Sequence, residues 1–247
     1  LDGAIKEFKR KEADFGQKKE VVCEGSLALR NASFGYDQES VLFENININL
    51  NMGDSVLVSG STGSGKSTLL DLFCGLLPPR EGYLEIDGSR IHGEDRLVFS
   101  NLVYVSQFTF LENSTPRSLL ESAKSGQLTD KDLERILGAA DLRDEFSNGV
   151  LSMNRSIGED GRLLSGGQRQ RINIAIALAK DADVYIFDEA ISALDRSTSE
   201  KVLAGIMSTL RAKLVLFVTH DNVDRSHFSK FLSVEEGKVK LLTSDAQ

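Results

Sequence analysis

Gly60-Ser61-Thr62-Gly63-Ser64-Gly65-Lys66-Ser67-Thr68 is the stretch that decides how this chain is read. An apolar, strand-like run precedes it, Ser55-Val56-Leu57-Val58-Ser59, and a helix-like run follows, Leu69-Leu70-Asp71-Leu72-Phe73-Cys74. A strand, a glycine loop ending in Lys-Ser and a helix form the P-loop arrangement. Phosphate oxygens must meet several backbone N–H groups at once. A side chain at Gly60, Gly63 or Gly65 would block that approach or forbid the turn. The helix that follows directs its partly positive N-terminus at the phosphates. Lys66 adds a full charge within reach of the β- and γ-phosphates, and the Ser67 hydroxyl is a candidate Mg²⁺ ligand. The whole run from Gly60 through Ser61, Thr62, Gly63, Ser64, Gly65, Lys66 and Ser67 to Thr68 is the candidate phosphate cradle. A flexible connector would have no reason to carry Lys-Ser-Thr between a strand and a helix.

Working outward, Val184-Tyr185-Ile186-Phe187 is an apolar run too short for a helix, and it ends in Asp188-Glu189. A buried strand ending in acids puts them at the carboxyl edge of the sheet, where Asp188 can hold Mg²⁺ and Glu189 can polarise an attacking water. Leu164-Ser165-Gly166-Gly167-Gln168 opens a second long helical pattern. Paired glycines there leave N–H groups bare at a positive helix end, which is an anion site. Ser165 is also a natural N-cap, but capping does not require two glycines. A further buried strand, Leu214-Val215-Leu216-Phe217-Val218, leads to His220.

Other segments complete an α/β chain. Strands are expected at 27–30, 41–43, 46–50, 83–88 and 102–106, and a closing hairpin around Glu236-Gly237. Ile46-Asn47-Ile48-Asn49-Leu50 alternates as a half-exposed strand does. Pro78-Pro79 is expected to stop the helix after the glycine loop. Apolar residues recur at helical spacing between 114 and 155, the mark of a small helical insert. The sum is a P-loop core with an antiparallel β subdomain and a helical subdomain of about 114–181.

The 247 residues can bury a proper core, with 40% hydrophobic residues. A net charge of -8 argues against a nucleic-acid partner. No run approaches ~18 consecutive apolar residues, so no span of a membrane is expected here. Cys23 and Cys74 lack metal or redox spacing and read as buried thiols. Residues 1–24 are mostly charged and read as a helix end and a poorly packed linker, with 25–247 as the P-loop domain. The chain opens on Leu1, and a preceding segment with a membrane-spanning region is expected.

These motifs, in this order, resemble the nucleotide-binding domain of an ATP-binding cassette (ABC) transporter. The Leu-Ser-Gly-Gly-Gln run is that family's signature, and the resemblance covers residue 26 to the C-terminus. It implies an ABC ATPase fold that uses ATP and Mg²⁺. It further implies a homodimer or pseudo-dimer of ATPase domains, in which Ser165, Gly166, Gly167 and Gln168 cover the nucleotide on the neighbour. By the same resemblance Tyr36 stacks on adenine, Gln107 touches Mg²⁺ and water, and His220 reaches the γ-phosphate. Catalytic roles fall to Glu189, His220 and Gln107, and metal ligation to Ser67, Gln107 and Asp188. Ser192-Ala193-Leu194-Asp195 matches the loop that crosses to the partner. Ile157-Gly158-Glu159-Asp160-Gly161 and the segment after Gln107 resemble the exporter branch. The implied function is substrate export, coupled to a transmembrane domain of the same polypeptide, at the cytoplasmic face of a membrane. The alternative is a soluble ABC ATPase that moves no solute. Ile176, Ile191, Pro116 and Ser118 depart from the family's usual Arg, Thr, Ile and Glu.

Overall fold

In the computed structural model, residues 18–37, 40–91, 96–106, 110–235 and 237–243 are described. The described part begins with β1 (Lys18–Val21), β2 (Ser26–Phe34), β3 (Phe43–Asn51), β4 (Ser55–Ser59) and α1 (Lys66–Phe73). Next come β5 (Glu81–Ile86), β6 (Ser89–Ile91), β7 (Arg96–Phe99) and β8 (Leu102–Val105). Helices α2 (Pro116–Ala123), α3 (Asp130–Ala139), α4 (Arg143–Ser147) and α5 (Gly166–Ala179) follow. Then β9 (Val184–Asp188), α6 (Arg196–Thr209), β10 (Leu214–Val218), β11 (Lys230–Glu235) and β12 (Lys238–Thr243) complete it. The chain forms two compact units. One takes residues up to 51, 60–101 and 233–240, the other 52–59, 102–232 and those from 241 on.

The first unit holds the antiparallel sheet, in order β3-β2-β5-β6. In β3 the expected alternation is present: Ile46, Ile48 and Leu50 are buried, and Asn47 and Asn51 are exposed. Helix α1 packs on β2 and buries Leu69, Leu70, Leu72 and Phe73. Its end differs from the expectation at Pro78-Pro79. The helix stops at Phe73 with Gly75 at φ 64. Gly75 N–H donates to Leu72 O at 3.2 Å and Leu76 N–H to Asp71 O at 2.9 Å. This is a Schellman stop, which satisfies the last carbonyls and needs the left-handed conformation that glycine takes without cost.

The described part of 1–24 also departs from the linker reading. Strand β1 pairs in parallel with β7, from Lys18↔Arg96 to Val21↔Phe99. Cys23 is fully buried, and the Asn101 amide holds both of its backbone groups, accepting from its N–H at 3.1 Å and donating to its C=O at 2.8 Å. Charged composition did not predict this, because strand pairing uses backbone groups and leaves polar side chains such as Lys19 and Glu20 exposed.

The second unit contains four parallel strands in the order β4-β10-β9-β8. Every residue of β9 and β10 is buried. Such unbroken apolar strands belong in a parallel sheet covered on both faces. Helices α2, α3, α5 and α6 share one core with these strands, including Leu120, Ile136, Ile174, Val202, Phe187 and Phe217. Their starts are locally encoded. Thr115 caps α2 with Pro116 in the first turn, and Thr129 and Asp132 form a capping box on α3. Two departures from the family pattern have a packing account. Ile191 is fully buried in this core, and Ile176 packs against it.

Candidate functional site

In the first unit the glycine loop leads from the end of β4 into α1. Gly60, Gly63 and Gly65 all have positive φ, at 153, 80 and 99. A Cβ at Gly60 would lie 2.2 Å from Val234 O, and one at Gly65 would lie 2.7 Å from Phe43 Cζ. Neither position tolerates a side chain. At Gly63 a Cβ would meet nothing within 4 Å, so its constraint is the backbone conformation alone. Gly65 offers no side-chain cap to α1. Lys66 is only 6% exposed, and its Nζ donates to Gly60 O and Ser61 O, each at 3.0 Å. The loop therefore wraps its own cation. Ser64 Oγ is buried and lacks a hydrogen-bond partner, which is costly unless something else fills that place. Ser61, Thr62 and Ser67 are exposed, and Thr68 is buried. The Tyr36 ring is 69% exposed but not loose. Its hydroxyl lies 2.6 Å from Thr68 Oγ1, and it meets Phe34 edge to face.

In the second unit, Val218 pairs with both Val58 and Asp188, so β4, β10 and β9 end together. Asp188 is 8% exposed and accepts a hydrogen bond from the Tyr104 hydroxyl at 2.9 Å. Glu189 follows with φ 54. The other non-glycine residues with positive φ, among those described, are Asn or Asp, which tolerate it. A glutamate held there is strained, and such strain gathers at functional sites. Glu189 N–H donates to Val218 O at 3.0 Å. This aims its carboxylate at His220, whose Nε2 lies 3.0 Å from Glu189 Oε1. Glu189 and His220 thus come together, with Asp188 at the end of the strand that leads into Glu189. Gln107 lies outside the described residues.

The signature run begins α5. Ser165 Oγ accepts from Gln168 N–H, and Gln168 Oε1 accepts from Ser165 N–H at 2.9 Å. Gln168 Nε2 also donates to Glu145 Oε2 at 3.0 Å. Capping is therefore complete, and Ser165 and Gly166 remain exposed at the helix start. At Gly167 a Cβ would come 3.3 Å from Leu194 Cδ2, a tight contact with a side-chain tip.

Two residues of this arrangement were not found from sequence, Tyr104 and Gln170. Tyr104 looked like one more strand residue, and Gln170 like the polar face of a helix. Only their partners, Asp188 and the loop at Ser192-Ala193, set them apart.

A family model described as ABC transporter matches residues 43–192. The chain is 31% identical over 231 residues to an ATP-dependent lipid A-core flippase of Pectobacterium atrosepticum, a match covering 92% of this chain and 40% of that protein. It is 33% identical over 221 residues to the beta-(1-->2)glucan export ATP-binding/permease protein NdvA of Rhodopseudomonas palustris, covering 87% of this chain and 36% of the relative. A solved structure of a bacterial Atm1-family ABC exporter with ATP bound aligns with TM-score 0.76 and 26% identity, over 93% of this chain and 40% of that one. The chain belongs to the ABC transporter family, as a nucleotide-binding ATPase domain. It spans 40% and 36% of the length of these two curated relatives. Among the described residues no helix is long and apolar enough to cross a membrane.

Proposed function

We propose that this chain binds ATP with Mg²⁺, hydrolyses it, and thereby drives export by a longer protein at the cytoplasmic face of a membrane. The observation that carries the reading is the Glu189–His220 pair, 3.0 Å apart at the ends of neighbouring strands, in a chain that also holds a glycine loop closed on Lys66. Lys66 exchanges its loop carbonyls for β- and γ-phosphate oxygens. Ser64, with its buried unpartnered hydroxyl, and backbone N–H groups of the loop complete the cradle. Tyr36 offers an open ring face to adenine while Thr68 holds its hydroxyl.

The donor set fits magnesium. Ser67, Asp188 and Gln107 are each a candidate Mg²⁺ ligand through a hard oxygen. Mg²⁺ keeps waters and takes substrate phosphates rather than a protein cage. When bound, the ion neutralises charge on the β- and γ-phosphates. Asp188 is kept oriented by Tyr104. Glu189 accepts a hydrogen bond from the attacking water and aligns it. His220 Nε2, which meets the Glu189 carboxylate in the structure, turns its N–H to the γ-phosphate when the nucleotide is bound. Most of the acceleration comes from charges fixed in place before the reaction.

The second copy, or a similar ATPase domain, supplies Ser165, Gly166, Gly167 and Gln168 over the nucleotide. The names of the relatives support the export part, since they are a flippase, a glucan export protein and an Atm1-family exporter. Glu189→Gln tests the core of this. It should still bind ATP, lose turnover by about 10²–10⁴-fold, and accumulate an ATP-dependent dimer on size exclusion. Turnover at the wild-type rate would remove Glu189 from the role.

A further inference from the structure

Within the second unit, the strands that end near Glu189 and His220 start at a cavity of about 430 Å³. Ser55 and Val215, at the starts of β4 and β10, line it together with the last turn of α6. An adjoining recess shares Ser55, Ser226 and His227 with it and runs on to Arg225 and Phe231. The floor of the cavity is apolar, since Met207, Leu210 and Val215 are all buried. The rim is cationic. Arg211 and Lys213 come from the turn between α6 and β10, and Arg225 and His227 from the segment before β11. None of the described residues lining either recess is acidic, although the chain carries 37 acidic against 29 basic residues. Lys213 is already paired with Asp183 at 2.6 Å. The two arginines are not neutralised in this way. Arg211 forms no ion pair among the described residues. The Arg225 guanidinium lies 4.1 Å over the Phe231 ring, a contact that offers no anion to its charge. Asp224, the acid beside it in sequence, accepts from Ser226 N–H at 2.9 Å. Ser55 Oγ accepts from Ser229 N–H at 3.0 Å, which leaves its own proton to donate.

We propose that this cavity is a second ligand site, for a small organic anion that carries a phosphate or carboxylate head on an apolar body. Arg211 at the rim and Arg225 in the adjoining recess offer forked N–H donors, which suit either head. The Ser55 hydroxyl and the His227 ring lie where the two recesses meet and add donors there. The body covers Met207, Leu210 and Val215. Small-molecule sites are typically concave, of roughly 300–1,000 Å³, mostly apolar and oriented by a few polar groups, and the cavity has that make-up. A cation just after the last turn of α6 also offsets the negative end of that helix. That accounts for Arg211 alone. Arg225 and His227 belong to another segment and face the same space. The site shares no residue with the glycine loop, so it does not depend on the function proposed above.

The test titrates purified protein with 1-naphthyl phosphate, 1-naphthoate and 1-naphthol, with inorganic phosphate as a competitor. The chain has no tryptophan, so naphthyl fluorescence anisotropy reads binding over little protein background. ADP and Mg²⁺ are present throughout, and the titration is repeated in Lys66→Ala, so that binding at the glycine loop is not counted. At least one naphthyl anion should bind in both backgrounds with a Kd below about 1 mM. Tighter binding of the phosphate assigns a phosphate head, and tighter binding of the carboxylate a carboxylate head. Naphthol and inorganic phosphate each lack one half of the ligand and should bind at least about 10-fold more weakly. Arg211→Ala and Arg225→Ala should each weaken the anion by about 10-fold at unchanged Tm. Arg155→Ala, an exposed arginine elsewhere on the unit, should leave it unmoved. No binding below about 1 mM, naphthol as tight as the anions, or an affinity that ignores both arginine changes overturns the proposal. Binding that disappears once ADP is added belongs to the glycine loop and overturns it too. Turnover enters none of these readings, so a failed ATPase and a failed second site are told apart.

Discussion

Asp87 shows how one side chain can decide a local structure. Partial burial pushes its carboxyl up, but the N–H groups of Glu24, Ser26 and Gly25 outweigh that and hold it below its ordinary value. The three bonds measure 2.9, 2.6 and 2.7 Å. They tie the start of β2 to the turn after β5. A carboxylate with a lowered folded value contributes stability above its unfolded value, and that contribution is lost as pH falls through the folded value. Asp87→Asn should therefore cost about 1 kcal/mol at pH 7, a figure kept low because the site is solvent-screened. The gap between variant and wild type should narrow below about pH 4. Urea unfolding at pH 7 and pH 3 measures both. A gap that widens in acid would contradict the assignment. Cys74 illustrates the opposite case, with burial pushing its thiol up to about 12, which makes it a packing residue and not a reactive one.

At the scale of elements, close approach outweighs propensity at α6. Gly205 lies inside that helix, where alanine is normally better by about 1 kcal/mol. A Cβ there would sit 2.2 Å from Ala139 O and 2.7 Å from Ala139 Cα, both backbone atoms at the end of α3. Backbone cannot swing aside as a side chain can, so the two helices would have to separate. Gly205→Ala is expected to destabilise by about 1–3 kcal/mol, read as a lower denaturant midpoint. A more stable variant would show that α3 and α6 do not pack this closely. The same contrast explains the end of α1. Pro78-Pro79 would have stopped a longer helix, but the Gly75 turn stops it first, against Leu97.

For the molecule as a whole, ligand binding should appear as stability. A nucleotide that binds only the folded chain, at about 100 times its Kd, adds about 2.7 kcal/mol. Calorimetry with Mg²⁺ and ATP should raise the transition of the wild type, and Lys66→Ala should abolish the rise. An equal rise in Lys66→Ala would overturn the glycine loop as the phosphate site. The comparison needs no turnover, so it is independent of the Glu189 experiment.

Legibility followed the range of the interactions. The glycine loop, the buried strands β9 and β10, the alternating β3 and the start of α5 are each written in fewer than ten consecutive residues. Their physics is local: glycine torsions, strand alternation, a Ser-Gln capping box. From them followed the fold class, the family and the candidate residues around Lys66, Asp188, Glu189 and His220. Strand β6 had a local signal, the Asp87-Gly88 turn with φ 50 and 76, that outlined a hairpin only once its second strand was seen. Strands β1 and β7 had none, because their pairing is made by backbone groups far apart in the chain. Tyr104 finds Asp188 across 84 residues, and Gln170 finds Ser192 and Ala193 across 22 and 23. Contacts of that range depend on the register of the whole sheet and on how helices settle against it. Sequence by itself therefore determined the fold class, the family and the candidate chemical groups, and only the tertiary structure decided which groups hold them in place.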